Sequence, residues 1–190
     1  FTTSNMNIPT SVFVAGHFAY VTNYYSPYLS IFDISDPNNI VPRGSTDTSL
    51  YAPYFVFVVN RYAYVASWWN NYLVAVDISD PDNPLVLDST DTNLSRPFSV
   101  VVAGDYAYVA SRNNDKLAVF DVSDPTNLVA LSFTSANLDD PQNLFVVGRY
   151  AYVASTANNR IAIFELNHLE APTLETGSLQ SGRLDVADNA

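Results

Sequence analysis

The 190-residue sequence has no cysteine, one methionine, one lysine (Lys116) and only six glycines. Without cysteine there are neither disulfides nor thiolate metal ligands. The two histidines, His17 and His168, are too few for a three-histidine zinc site, and neither stands in a hydrolase motif. So small a glycine complement offers no phosphate-cradling loop. Basic residues number 8 against 19 acidic ones, a net charge of −11. Such a chain has no basic stripe with which to displace counterions from nucleic acid or to hold an anionic membrane. No apolar run approaches the roughly 18–20 residues a membrane-spanning helix needs, so membrane insertion is not expected.

What is present is a globular composition, 48% hydrophobic and 14% aromatic. It is also strongly periodic. FAYV begins at Phe18, and YAYVAS begins at Tyr62, Tyr106 and Tyr150, each 44 residues after the last. DISDP at Asp33 and Asp77, DVSDP at Asp121 and a degenerate ELNHL at Glu165 keep the same step, as do Pro9, Pro53, Pro97 and Pro141. The third copy reads as four strands, FSVVVA, YAYVAS, KLAVFDV and LVALSFT, joined by Gly-Asp, RNND and SDPTN turns. These strands are apolar on both faces, so each sheet must lie between two others. Repeated four-stranded antiparallel sheets packed face to face predict an all-β propeller.

The pattern YAYVAS followed by a DISDP segment resembles the LVIVD repeat of bacterial and archaeal cell-surface proteins, over roughly residues 1–166. The resemblance implies a β-propeller and a place at the cell surface or outside the cell. It supplies no catalytic residues. The copies fall at about 9–52, 53–96, 97–140 and 141–170. Pro9 aligns with Pro141, so residues 1–4 align with an outer strand. They are expected either to complete the last sheet and close a four-bladed ring, or to belong to a fragment of a larger propeller. The tail, 171–190, lacks both markers and is expected to be either a loose terminus or the start of a β-stalk.

In such a sheet, the turns between strands two and three share one face of the ring with the links between blades. These turns are residues 22–28, 67–72, 111–116 and 155–160. On this face the first two copies place Tyr24, Tyr25, Tyr28, Trp68, Trp69 and Tyr72, with Tyr51 in the link between them. The later copies have Arg112, Asn113 and Lys116, then Thr156, Ala157 and Arg160, so the fold does not require aromatics there. Such a patch either folds back to seal the rim, buries against a protein partner or a second copy, or stacks on sugar rings. The repeated Asp-Pro pairs suit type I turns better than a calcium site. The carboxylates of Asp33, Asp77, Asp121 and Glu165 occupy equivalent places and are the one candidate for channel-based catalysis. The expectation is a non-catalytic, secreted or cell-surface module without metal or cofactor. It would be a self-associating subunit of a filament or fibre, with a glycan-binding adhesin head as the alternative.

Overall fold

The computed structural model describes residues 6–46, 50–167 and 173–175. These form sixteen strands in four antiparallel sheets. The first contains β1 (Pro9–Ala15), β2 (Phe18–Asn23), β3 (Leu29–Asp33) and β4 (Val41–Ser45). The second contains β5 (Pro53–Val59), β6 (Tyr62–Ser67), β7 (Tyr72–Asp77) and β8 (Leu85–Thr90). The third contains β9 (Pro97–Ala103), β10 (Tyr106–Ser111), β11 (Lys116–Asp121) and β12 (Val129–Thr134). The fourth contains β13 (Pro141–Val147), β14 (Tyr150–Ser155), β15 (Arg160–Asn167) and β16 (Thr173–Glu175). The strands run in chain order across every sheet, as the repeat predicts.

The strands form because β-branched and aromatic residues alternate across a pleat buried on both sides. Sharp reversals between first and second strands use positive φ at Gly16, Asn60, Gly104 and Gly148. The third and fourth strands are joined by Asp-Pro turns. In these, Asp33, Asp77 and Asp121 accept the N–H two residues on, at 2.8–2.9 Å, and Asp36, Asp80 and Asp124 do the same at 2.9–3.0 Å.

The core has three layers, one between each pair of successive sheets, and a smaller cluster on the outward face of the first sheet, where Ala19, Val21 and Phe32 pack with Met6, Ile34 and Ile40. Tyr20, Leu29 and Ile31 of the first sheet meet Val56, Val58 and Val65 of the second. Tyr64, Leu73 and Ala75 meet Val100, Val102 and Phe120. Tyr108, Leu117 and Val119 meet Leu144, Val153 and Phe164. The innermost strands β1, β5, β9 and β13 pack in that order.

Among the described residues the four sheets form an open arc, so the four-bladed ring is not seen, while the other expectation, part of a larger propeller, is compatible with the structure. The outward faces of the first and fourth sheets keep exposed apolar side chains and do not meet. Outer edges explain why. Closing on four sheets would require a quarter turn between neighbours, with the outer strands splayed widely. Here the outer strand of the first sheet touches the second: Gly44 donates to the Pro81 carbonyl at 2.8 Å, and Arg43 pairs with Asp82 at 2.6 Å. Leu128 likewise donates to Asp88 of the preceding sheet at 2.7 Å. The wedge is therefore narrow and four sheets make an arc. The outer-strand place expected for residues 1–4 is taken by β16, whose Thr173, Leu174 and Glu175 pair with Asn167, Leu166 and Glu165. Residues 1–4 lie outside the described residues, as does the tail from residue 176 on.

Candidate functional site

The rim is built on a repeated backbone clamp. In each copy the residue after the second strand donates to the link preceding the first: Tyr24 to Ile8, Trp68 to Ala52, Arg112 to Arg96 and Thr156 to Asp140, at 2.8–3.2 Å. The next residue repeats the bond one position earlier, Trp69 to Tyr51 and Asn113 to Ser95 among them. The last serine of YAYVAS ties the link from beneath. Ser67, Ser111 and Ser155 accept from the N–H of Tyr51, Ser95 and Asp139 at 2.7–2.9 Å, and Asn23 accepts from Asn7 at 3.3 Å in the first copy. All four side chains are buried, so each hydroxyl or amide is a structural clamp and not a nucleophile. This holds Ile8, Ala52, Arg96 and Asp140 at φ of 52–58°, a conformation that costs a β-branched residue such as Ile8 most. Turn and link therefore form one rigid ridge per blade, on the same face of the arc.

On that ridge the structure brings four of the expected residues into one run. Tyr25 meets Tyr24 edge-on with ring centres 4.8 Å apart, Tyr24 meets Trp68 at 5.6 Å, and Trp68 meets Trp69 at 4.9 Å. Tyr25 and Trp69 are exposed, and Tyr24 and Trp68 are half-buried between them. Tyr51 stands exposed beside Trp69 through the backbone bond. Tyr28 is at the edge of its turn, outside the ring-to-ring run. Tyr72 is turned inward, packed against the layer between the first two sheets.

Sequence reasoning missed the cation at the end of the run. The guanidinium of Arg96 lies 4.6 Å from the Trp68 ring centre and 5.2 Å from that of Trp69, so it caps both indoles from the link that leads into the third blade. The signal was available, since the 44-residue period places Arg96 where other copies have Ile8, Ala52 and Asp140. A second ring pair sits on the inner strands, Tyr54 against Phe98 at 4.0 Å, with Arg112 over Phe98 at 5.4 Å. Arg112 forms an ion pair with Asp140, which also accepts from Thr156 at 2.8 Å and Gln142 at 3.1 Å. Partial burial pushes the Asp140 carboxyl up, but the bonds from Arg112, Thr156 and Gln142 outweigh it and hold it below 3.8. The rim thus passes from aromatic in the first two blades to a polar network in the last two, centred on the Arg112–Asp140 pair, in which the side-chain oxygens of Asn114 and Asn158 are buried without a partner.

The carboxylates considered for a channel are elsewhere. Asp33 lies between Phe18 and Val41, and Glu165 between Tyr150 and Glu175, at the ends of third strands on the face away from the rim. Asp77 pairs with Arg61 and Glu165 with Arg149, both at 3.2 Å. These carboxylates stand on third strands and not on the innermost first strands, so they do not converge on one site. Among the described residues no three His, Asp or Glu side chains group as a metal site requires.

The turn aspartates give a testable pH dependence. The Ser35 N–H lowers the Asp33 carboxyl below 3.8; the hydroxyl of Ser79, the amide of Asn83 and the hydroxyl of Thr126 do the same for Asp77, Asp80 and Asp124. Each is a carboxylate depressed in the folded state, so its contribution is complete above about pH 4 and is lost as pH falls through the lowered values. The urea midpoint is expected to be level from pH 7 to about 5 and to drop below about 4. A flat midpoint down to pH 2 would show that these turns hold no folded-state preference for the charged form.

Comparison with known proteins agrees with this architecture. The family model described as LVIVD repeat matches residues 9–48, 55–92, 98–134 and 140–163. No curated protein matches the chain in sequence. Among solved structures, a candidate 6-phosphogluconolactonase from Bacteroides uniformis superposes with a TM-score of 0.77 at 15% identity, over 88% of this chain and 52% of its own. A Lactobacillus plantarum protein gives 0.75 at 18% identity, over 88% and 55%. The Pseudomonas aeruginosa periplasmic gluconolactonase PpgL gives 0.71 at 13% identity, over 88% and 53%. At these identities the likeness is one of fold, and the chain spans about half the length of each.

Proposed function

The chain belongs to the LVIVD repeat family, and from that starting point we propose that it is a non-catalytic binding module whose working surface is the aromatic rim of its first two blades. The observation that carries this reading is the unbroken run Tyr25, Tyr24, Trp68 and Trp69, capped by Arg96. Tryptophan, tyrosine and arginine are the residues that most often anchor interfaces, because they bury large area at small rotamer cost. The ridge beneath them is clamped by backbone bonds, so little ordering remains to be done on binding. A protein partner, above all another copy in a surface filament or fibre, suits this surface better than a sugar. A sugar site wants free amides beside the rings, and the Asn71 carbonyl oxygen is already committed to the Arg96 N–H at 2.8 Å. The high negative charge and the family's cell-surface setting support an extracellular location.

The test compares the wild-type chain with a Trp68→Ala/Trp69→Ala variant by light scattering over a concentration series. Each anchor is worth on the order of 2 kcal/mol, so association through the rim should weaken at least about a hundredfold while the far-ultraviolet spectrum is unchanged. Equal association of both proteins removes the rim as the interface. A tryptophan fluorescence change with glycans and no self-association would favour the adhesin reading. Turnover of a sugar lactone, the substrate class in the names of two fold neighbours, would overturn the non-catalytic one.

A further inference from the structure

The strongest unexplained feature lies at the two ends of the arc, away from the rim. On the face each sheet turns to its predecessor, Val56, Val100 and Leu144 are equivalent by the 44-residue period and are 1%, 0% and 4% exposed. Their counterpart in the first sheet, Val12, is 63% exposed. On the face turned to the successor, Leu29, Leu73 and Leu117 are all fully buried, whereas their counterpart in the fourth sheet, Ile161, is 72% exposed. Val14, Phe145 and Val147 are exposed in the same way, whereas Ala19, Val21 and Phe32 on the first sheet's face are already covered by their own cluster with Met6, Ile34 and Ile40. The two ends are thus the halves of a contact the molecule already makes three times. One carries the valine face that follows a sheet and the other the isoleucine and phenylalanine face that precedes one.

We propose that a second copy of this chain covers both ends at once. The fourth sheet of each copy packs on the first sheet of the other, and the two arcs close into one eight-bladed ring. Three observations select this occupant. The faces differ from each other, so neither pairs well with itself, and a head-to-tail contact is the one that matches side chain to side chain. Two identical arcs related by a half turn satisfy both faces and leave no apolar sheet exposed. Among the described residues the first and fourth sheets do not pack on each other, so the arc is open at both ends. The contact is continuous with the internal layers and does not involve the aromatic rim.

The proposal is tested on the full chain in the Trp68→Ala/Trp69→Ala background, so that association through the rim does not contribute and the two readings fail separately. Light scattering should give twice the 20.9 kDa chain mass, independent of further increases in concentration. Val12→Asp and Ile161→Asp, at opposite ends, should each return the single-chain mass with unchanged circular dichroism. The absence of native cysteine allows a second reading. Oxidised Val14→Cys/Phe145→Cys should run as a covalent dimer, while each single-cysteine variant should remain a single chain. A single-chain mass at all concentrations, a mass that grows without limit, or dissociation by only one of the two end variants would overturn it. Should an aspartate variant unfold, the cysteine experiment decides alone.

Discussion

Replacing Phe120 by alanine is expected to lower the free energy of unfolding by about 3–5 kcal/mol. Phe120 lies in β11 with no solvent exposure, among Tyr64, Leu73, Ala75, Val100 and Val102. Those neighbours belong to two different sheets, each held in plane by its own ladder. Neither sheet can move into the vacated volume without breaking the contacts of its other face, so most of the cavity stays open. The same position is Val76 in the second sheet and Phe32 and Phe164 in the first and fourth. Phe120→Val should therefore cost less than Phe120→Ala, because part of the volume is kept. Urea midpoints at constant slope measure both. A loss under about 1 kcal/mol for the alanine variant would mean that the layers between sheets are loosely filled, against the packing described above.

Gly44→Ala should destabilise by overpacking, by about 1–3 kcal/mol. A β-carbon at Gly44 would stand 2.5 Å from the Asp82 carbonyl oxygen and 2.7 Å from that of Pro81. Both obstacles are backbone, held in a turn where Asp80 accepts from the Asp82 N–H, so they cannot rotate aside as a side chain would. Relief requires the outer strand to withdraw, which weakens the Gly44 to Pro81 bond and the Arg43 to Asp82 pair. The expected melting shift is a fall of about 2–12 °C, at about 2–4 °C per kcal/mol for a chain of this size. If the variant melts with the wild type, the first two sheets are farther apart at their outer edge than the structure places them. Asp88 holds the corresponding place in the second sheet by a side-chain bond to Leu128, so Asp88→Ala there removes a bond but introduces no clash.

Much of this was written into local sequence. Strand alternation is decided residue by residue, and the Asp-Pro turns are closed by a side chain reaching its own backbone two residues on. Neither depends on distant parts of the chain, so YAYVAS and DISDP were legible wherever they recurred. The two apolar faces of each strand further determined that sheets stack on sheets. That Tyr24, Trp68 and Trp69 share one side of the molecule also followed from the period, because turn and link positions alternate between two faces.

Tertiary structure decided the rest. Whether four sheets close depends on the angle between them. That angle is the sum of many contacts across each layer, including the close approach at Gly44, which no single copy reveals. The pairing of β16 with β15 is a choice of edge partner that the repeat does not specify, because strand pairing reads backbone more than side chain; the alignment pointed to residues 1–4 for this edge and left 171–190 as a tail. The stacking of Arg96 over two indoles from the preceding blade, and the inward turn of Tyr72, depend on how one blade leans on the next. Repetition determined what each blade is. Only the packing between blades determined where the repetition leaves surface uncovered, because uncovered surface is a property of neighbours and not of any one residue.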